Sequence, residues 1–331
     1  MEKIKVVSLF TGCGGSDLGL RGGFDFLGKK YRSLPYETTF ALDIDKKAVQ
    51  TYDFNFSHPA HLADIRTVSN EILPDTADLV IGGFPCQSFS TVNPTKDPFD
   101  ERGQLYKEMA RILRLLKPKV FIAENVKGML VLHKGKIFER ILKEFSAVGY
   151  SLKYKLINAA DYGVPQKRQR VFIVGVRNDL NEEFDFPKAT HAEIPMGKQK
   201  QWVGIKNILE GLELPNKKYY FSDRAVEGMK NAKNNMKRGL WQDLEKPCLT
   251  VTSHLAKVSI NSRDPVLLVD SAKNIYRRFT PREAARIQSF PDSFIFSGSE
   301  SDAYRQIGQA IAPVVMWHLG NEVWEKIFKN D

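Results

Sequence analysis

Short, continuously apolar runs alternate with amphipathic helical patterns over the first 177 residues of the chain. A run that is apolar at every position is typical of a strand covered on both faces of its sheet. Strands that alternate with helices are typical of α/β folds. The pattern therefore predicts an α/β sheet covered on both sides. The predicted strands are 4–10, 38–42, 78–81, 120–123, 152–157 and 171–176.

Three helices have clear signals in the sequence. Between residues 104 and 116, apolar side chains recur at helical spacing until a proline ends the pattern. Thr280 and Glu283 form a capping box around Pro281, which predicts the start of a helix that ends near residue 290. A final apolar helix is predicted after Pro313.

The periodicity fades from about residue 178 to residue 275, which predicts a second, more irregular unit. Basic and aromatic residues cluster within it. The cluster is either a solvated charge run or a face that contacts phosphates. Its members are Lys217, Lys218, Arg224, Lys230, Lys233, Lys237 and Arg238, with Tyr219, Tyr220, Phe221 and Trp241 as aromatic neighbours.

Composition narrows the classes of function. The 331 residues include 49 Lys and Arg against 39 Asp and Glu, a formal charge of +10. This charge favours an acidic partner such as nucleic acid, or else a well-solvated surface. The three cysteines are too far apart in the sequence for a zinc site or a disulfide framework. We therefore expect no metal, and we expect a cytoplasmic location. The first apolar run is too short for a signal peptide or a membrane span.

A glycine-rich turn at residues 10–15 follows the first predicted strand. Such a turn lets a ligand approach the backbone closely, and a plain tight turn is the alternative. Asp17 stands where the dinucleotide-binding pattern needs glycine, which argues against a nicotinamide dehydrogenase. Asp43 and Asp64 end later runs, so the turn and both acids are expected to meet at the carboxyl edge of the sheet, the usual nucleoside site.

Side chains suited to catalysis follow the next two predicted strands. Cys86 precedes a polar loop, which favours an accessible nucleophile over the alternative of a buried structural thiol. Glu124 ends an apolar run, where partial desolvation raises a carboxyl pKa and suits it to proton donation. Arg168 and Arg170 share one face of the last predicted strand, although alone they are an ordinary basic strand start.

In their order along the chain, these motifs resemble those of DNA (cytosine-5) methyltransferases of the bacterial restriction-modification type. The likeness spans nearly the whole chain, and the segment from about 178 to 275 corresponds to the variable target-recognition segment of that family. The motifs are FTGCGG at 10–15, Pro85-Cys86-Gln87, Glu124-Asn125-Val126, Gln166-Lys167-Arg168-Gln169-Arg170, RRFTPREAARIQSFPD from residue 277 and YRQIGQAIAP from residue 304.

The resemblance implies a Rossmann-like class I methyltransferase sheet with helices on both faces, plus a smaller irregular target-recognition domain. It assigns residues 1–177, completed by 302–331, to the catalytic and cofactor-binding domain. Residues 178–301 are assigned to the target-recognition domain.

The resemblance also implies S-adenosyl-L-methionine as the cofactor. This chain has Asp43 where the family usually has glutamate, Ile44 where it usually has tryptophan or another large residue, and Gln309 where it usually has asparagine. These departures bear on the affinity for the cofactor more than on its identity. The implied cofactor-binding residues are Phe10, Gly12, Cys13, Gly14, Gly15, Asp43, Ile44, Asp64, Ile65, Gly83, Pro85, Leu105, Gln309, Ala310 and Ile311.

By the same resemblance, Cys86 attacks carbon 6 of a flipped-out cytosine so that carbon 5 takes up the methyl group. Glu124 would bind the nitrogen 3 and amine edge of the base, and Arg170 the carbonyl oxygen, with Arg168 in the same catalytic motif. A loop from residue 88 to residue 102 would close over the base as a lid. The implied DNA contacts are Ser88, Ser90, Arg102 and Thr250.

The expected partners are double-stranded DNA and a cognate restriction endonuclease that acts on the same site; no membrane is expected, and the protein is expected to be a monomer. An RNA cytosine-5 methyltransferase acting on tRNA is the alternative within this chemistry, and the long variable segment favours DNA. A catalytically silent DNA-binding regulator is the alternative from another class. The presence of Cys86, Glu124 and Arg170 argues against it.

Overall fold

The computed structural model describes residues 3–85, 104–213, 215–231, 241–257 and 264–329. Its strands are β1 (Ile4–Leu9), β2 (Phe24–Phe26), β3 (Lys29–Tyr31), β4 (Tyr36–Asp43), β5 (His61–Leu62), β6 (Leu79–Gly82), β7 (Val120–Val126), β8 (Tyr150–Asn158), β9 (Gln166–Lys167), β10 (Gln169–Arg177), β11 (His191–Ala192), β12 (Lys200–Gln201), β13 (Cys248–Leu249), β14 (Val266–Asp270) and β15 (Ile275–Arg278).

The α-helices in these ranges are α1 (Gly15–Arg21), α2 (Lys46–Asn55), α3 (Leu105–Leu116), α4 (Lys136–Ala147), α5 (Lys206–Leu209), α6 (Asp223–Lys230), α7 (Pro281–Ile287), α8 (Glu300–Gln309) and α9 (Pro313–Val323). None of them is long and apolar enough to cross a membrane. The predicted helices at 104–116 and after Pro313 are confirmed. The capping box at Thr280 is also confirmed, although α7 ends three residues earlier than expected.

Seven strands form the central sheet in the order β5-β4-β1-β6-β7-β10-β8. The strands from β5 to β7 pair in parallel, whereas β10 runs antiparallel to both of its neighbours. This arrangement confirms the predicted α/β class and all six predicted strands. Most strand ends differ from the prediction by one to three residues. Two of these differences affect the site, because β7 continues to Val126 and therefore includes Glu124, and β10 begins early enough to include Arg170.

Helices cover both faces of this sheet, which explains why its strands are apolar at consecutive positions. One face packs Val6, Ile81 and Ile122 against α1 and α9. The other face packs Val7, Val80 and Phe121 against α3 and α4. Neighbouring residues of one strand thus belong to two different cores.

Helix α9, near the end of the chain, packs on elements at its start. Helix α9 packs closely on α1, where a Cβ on Gly19 would lie 2.4 Å from the Pro313 carbonyl oxygen. The Tyr36 hydroxyl donates to the Gly320 carbonyl at 2.8 Å. Residues about 300 positions apart in the sequence therefore form one structural unit.

The segment from 178 to 301 is divided between two cores. Val226 on α6, Val266 on β14 and Tyr276 on β15 form a small separate cluster. Cys248 and Val251, however, are buried in the large core that also contains residues of α1, α9 and the central sheet, and β13 pairs with β9 just ahead of β10. The predicted domain boundary at 178 stays a prediction, and the packing shows that the two units share part of their interior.

Candidate active site

The glycine-rich turn after β1 is held in a conformation that requires glycine. Gly12 and Gly14 both have positive φ, at 57° and 88°, a region that side chains with a Cβ rarely adopt. A Cβ on Gly14 would lie 2.4 Å from the Phe56 ring, and one on Gly15 would lie 2.5 Å from the Ile311 carbonyl oxygen. The turn is thus clamped between α2 and the segment that follows α8.

Asp17, at the first turn of α1, braces this glycine turn from behind. Its buried carboxylate accepts hydrogen bonds from the hydroxyls of Ser8 at 2.9 Å, Thr11 at 2.8 Å, Thr38 at 3.1 Å and Tyr52 at 3.2 Å. This role of Asp17 was not predicted from the sequence, where the residue argued only against a dinucleotide site. An acid followed by Leu-Gly-Leu on a buried helix was the available signal.

Asp43 ends β4 directly beside the turn. One carboxylate oxygen accepts from the Gly12 backbone N–H at 2.8 Å, and the other accepts from the Asp45 backbone N–H, also at 2.8 Å. Burial raises the pKa of Asp43 to about 6, against the lowering effect of the backbone N–H groups of Gly12 and Ile44 and of the Arg305 charge. Next to it, the side chain of Ile44 is 68% exposed, an apolar surface left open at the mouth of a crevice.

Asp64 and Ile65 line the same crevice as Asp43 and Ile44. The Asp64 carboxylate is bound by the Arg66 guanidinium, with Nη2 at 2.5 Å from one oxygen, and these hydrogen bonds hold the pKa of Asp64 below its usual range. The Ile65 carbonyl accepts from Arg111 at 3.2 Å. Asp64 is therefore a fixed acceptor whose carboxylate already has a cationic partner.

Glu124 and Arg170 form an ion pair at the carboxyl edge of the sheet. The Arg170 Nε lies 3.1 Å from Glu124 Oε1, and the two side chains are 19% and 14% exposed. Burial raises the pKa of Glu124, and the charges of Arg170 and then Arg168 oppose that rise. The pair exists because β10 is antiparallel to β7, which brings the start of β10 opposite the end of β7. A Cβ on Gly83 would lie 3.3 Å from the Glu124 carboxylate.

One cavity of about 730 Å³ joins these groups. It is lined by the glycine turn, Asp43, Ile44, Asp64 and Ile65 at one end and by Glu124 and Arg170 at the other. All the predicted cofactor residues line it except Gly14, whose place is under the turn. The lining residues that the sequence analysis missed include Thr11, Ser16, Arg66, Asn125, Arg305 and Gln306.

Comparison with known proteins decides the family. Residues 4–325 match the family described as C-5 cytosine-specific DNA methylase. The chain belongs to this family. It is 35% identical over 342 aligned residues to the type II methyltransferase M.FnuDI of Fusobacterium nucleatum, covering 98% of this chain and 95% of that protein. It is 33% identical to M1.ScrFI of Lactococcus lactis subsp. cremoris, covering 99% of this chain and 80% of that protein.

The methylase also shares its fold with solved structures. The structure of a Spodoptera frugiperda DNMT2 mutant covers 97% of this chain and 100% of its own, with a TM-score of 0.74 and 19% sequence identity. At this level of identity the likeness shows the fold alone. It agrees with the mixed sheet and helical layers described above.

Asn125 ties the two motif-bearing strand ends of the methylase together. Its side-chain amide donates to the Phe84 carbonyl at 3.0 Å, and its oxygen accepts from the Val126 backbone N–H at 2.8 Å. This fixes the turn that leads to Pro85, which lines the cavity. Cys86, Ser88, Ser90 and Arg102, together with the predicted lid, lie outside the described residues.

The other two cysteines of the methylase are buried. Burial raises the pKa of the Cys13 thiol to about 12, and it raises the pKa of the Cys248 thiol even further. Neither thiol therefore ionises near neutral pH, and Cys248 does not line the cavity. Among the described residues, no group of three or more His, Cys, Asp or Glu side chains is placed to hold a metal ion.

Arg168 and Thr250 make contacts within the protein. The buried Arg168 guanidinium donates to the carbonyls of Val251 at 3.1 Å, Gly308 at 2.9 Å and Ala310 at 3.2 Å. The Thr250 hydroxyl donates to the Lys167 carbonyl at 2.8 Å. The catalytic role expected for Arg168 and the DNA contact expected for Thr250 stay predictions, and these bonds show that both residues join β9 and β10 to the segments packed on them.

Proposed function

We propose that this methylase transfers a methyl group from S-adenosyl-L-methionine to carbon 5 of a cytosine in duplex DNA, as the modification enzyme of a type II restriction-modification pair. The observation that carries the proposal is the single cavity that connects the glycine turn and Asp43 to the Glu124–Arg170 pair. The names of the bacterial relatives support the pairing with a restriction endonuclease.

The residues at the first end of the cavity fit the proposed cofactor. Gly12, Gly14 and Gly15 leave backbone room for its methionine end, and Asp43 offers carboxylate lone pairs to the ribose hydroxyls. The exposed side chain of Ile44 offers an apolar face to adenine. When bound, this cofactor supplies an electrophilic methyl group.

The nucleophile in the proposal is Cys86, which directly follows the cavity residue Pro85 in the sequence. Carbon 5 of cytosine is too weak a nucleophile to accept a methyl group until a thiolate has added to carbon 6. The burial of Cys13 and Cys248 supports Cys86 as the thiol that adds. Loss of the proton from carbon 5 and departure of the Cys86 sulfur then restore the aromatic ring and the free cysteine.

Glu124 and Arg170 act on the base in this scheme. Burial favours the protonated form of Glu124, which suits its carboxyl to donate to nitrogen 3 while its other oxygen accepts from the exocyclic amine. Arg170 donates to the carbonyl oxygen of the base. Both contacts stabilise the charge that develops on the ring when the thiolate adds.

The cytosine must leave the stacked duplex to reach this cavity, because the thiolate attacks the face of the ring. Such flipping costs a few kcal/mol. The proposal therefore includes a flipped base, with Ser88, Ser90 and Arg102 as DNA contacts. The enzyme acts as a monomer in the cytoplasm, where bacterial DNA lies.

The test is methyl transfer from labelled S-adenosyl-L-methionine to duplex DNA, followed by bisulfite sequencing of the product. Cys86→Ala is expected to abolish transfer, while Cys248→Ala, at a buried thiol away from the cavity, retains it. A duplex with 5-fluorocytosine at the target is expected to trap a covalent adduct that maps to Cys86. Transfer to tRNA but not to DNA would instead support the RNA methyltransferase, and DNA binding without any transfer would support the silent regulator.

A further inference from the structure

A second, larger groove lies away from the cavity described above. It has a volume of about 1300 Å³ and shares no lining residue with that cavity. It is bounded by the β2–β3 hairpin on one side and by the segment from 188 to 203 on the other. Its lining includes five exposed lysines, Lys29, Lys155, Lys188, Lys198 and Lys200, against one carboxylate, Glu210.

The cations in this groove face one another. His191 and Lys200 are partners in the short β11–β12 ladder. Burial and then the charge of Lys200 lower the pKa of Lys29, and burial followed by the charges of Lys29 and Lys200 lowers the pKa of His191. The hairpin and the ladder thus bring positive charges together at a cost in repulsion.

Lysines just outside the groove are neutralised, whereas those inside it are not. Lys153 pairs with Asp185 at 2.8 Å, and Lys167 pairs with Glu193 at 3.6 Å. In the described parts of the chain, none of the five groove lysines has a carboxylate within 4.0 Å. Lys29 Nζ lies 4.5 Å from the centre of the Tyr31 ring, and burial raises the pKa of Asp161 against the lowering effect of the Lys155 charge. A concave, basic surface with this little acidic charge is what a polyanion requires.

The groove is connected to the strand that carries Arg170. The backbone N–H of Thr190 donates to the Asp161 carbonyl at 2.9 Å, and Gly163, which lines the groove, packs its α-carbon against the His191 ring. Residues 161–163 lead directly into β9 and β10. The groove is therefore joined, through residues 161–163, to the segment that continues into Arg170.

We propose that this groove binds the sugar-phosphate backbone of the DNA that flanks the target cytosine. The inference rests on the proposed function, which supplies the duplex. The spread of five exposed lysines over one long groove suits a chain of regularly spaced phosphates better than a single small anion. The groove extends the contact with DNA without reading its sequence.

The test compares two triple variants of equal charge. Lys29, Lys198 and Lys200 are replaced by glutamine in one, and three exposed lysines outside the groove, Lys5, Lys117 and Lys143, are replaced by glutamine in the other. Duplex affinity is measured against salt concentration with a long duplex and with a short one limited to the target site. Each lost phosphate contact lowers the slope of log affinity against log salt by about 0.9.

For the long duplex, the slope of log affinity against log salt is expected to decrease in magnitude by about 2 to 3 in the groove variant. Its affinity at moderate salt is expected to fall at least tenfold, while the control variant keeps the native slope and affinity. On the short duplex all proteins are expected to bind and methylate alike. Equal slopes for the two variants on the long duplex would overturn the inference. A loss confined to a structured RNA would also overturn it. If no protein methylates DNA, the proposed function fails, and the salt slopes still decide whether the groove binds the duplex.

Discussion

Glu124 is held between two opposing influences, burial that favours its neutral form and the Arg170 charge that favours its ionised form. Glu124→Gln keeps a donor for nitrogen 3 and an acceptor for the amine but cannot transfer a proton. We expect the rate of methyl transfer to fall by about 10² to 10⁴, with cofactor binding unchanged, measured by single-turnover transfer and by titration with the cofactor. A rate within threefold of the native enzyme would contradict the role given to this carboxyl.

Asp43 should make cofactor binding depend on pH. With its pKa raised to about 6, acidification from pH 7 to pH 5 protonates the carboxylate that we propose accepts from the ribose hydroxyls. The affinity for S-adenosyl-L-methionine is expected to fall about tenfold over this interval, as measured by calorimetry. Asp43→Asn should bind more weakly at pH 7 and lose the dependence, and an unchanged pH profile in that variant would exclude Asp43 as the titrating group.

The stability of the free protein should follow the opposite trend at the same residue. A carboxyl whose pKa is higher in the folded state than in the unfolded state is more protonated when folded. Its contribution to the free energy of unfolding therefore decreases as pH rises from its ordinary pKa to about 6. Acid thus weakens cofactor binding while it relieves the cost of burying this charge.

At the scale of elements, the start of β10 separates two arginines with different contacts, because Arg168 directly precedes the strand and Arg170 is its second residue. Arg168→Met should remove a donor from three buried carbonyls and lower the free energy of unfolding by about 3 kcal/mol. Arg170→Met should cost little stability but abolish most methyl transfer, because it leaves Glu124 without its ion-pair partner. Denaturant unfolding and transfer assays on both variants check this division, and equal stability losses would refute it.

The interior strands β1, β6, β7 and β10 were predictable from sequence because nearly all of their positions are buried. The direction of β10 was not predictable, since an antiparallel strand in this sheet is as apolar as a parallel one. That direction alone explains why Arg170, at the start of its strand, meets Glu124 near the end of another. The short β2–β3 hairpin and the β11–β12 ladder have too few residues to produce a periodic signal.

The cavity was predictable where motifs follow strands, as with the glycine turn and Asp43. Arg305 was missed because its position depends on α8 packing beside Asp45, with which it forms an ion pair. The role of Arg168 was missed because its partners are backbone carbonyls far away in sequence. Any residue can supply a backbone carbonyl, so the residue types of such partners give no signal in the sequence.

At the scale of the whole molecule, residues 178–301 contribute to two separate cores. This limits which of them can be replaced when the DNA specificity of a relative is transferred to this enzyme. Transplanting the segment from about 178 to 275 from a relative should change the DNA site that is methylated while transfer persists, as read by bisulfite sequencing. The graft should keep the residues of this segment that are buried in the catalytic core, among them Ile205, Ile208, Cys248, Val251 and Leu255. Unchanged site choice in an active graft would place recognition elsewhere.

The packing of Gly15 against Ile311 has a consequence for the timing of synthesis. The cavity needs residues 10–15 and residues 309–311 together, and at about 5 to 20 residues per second a ribosome takes roughly 15 to 60 seconds to pass from one group to the other. Throughout that interval the nascent chain exposes a glycine turn with one wall absent. The proposed cofactor site is therefore completed late in synthesis, and a chain interrupted before α8 is expected to bind no cofactor.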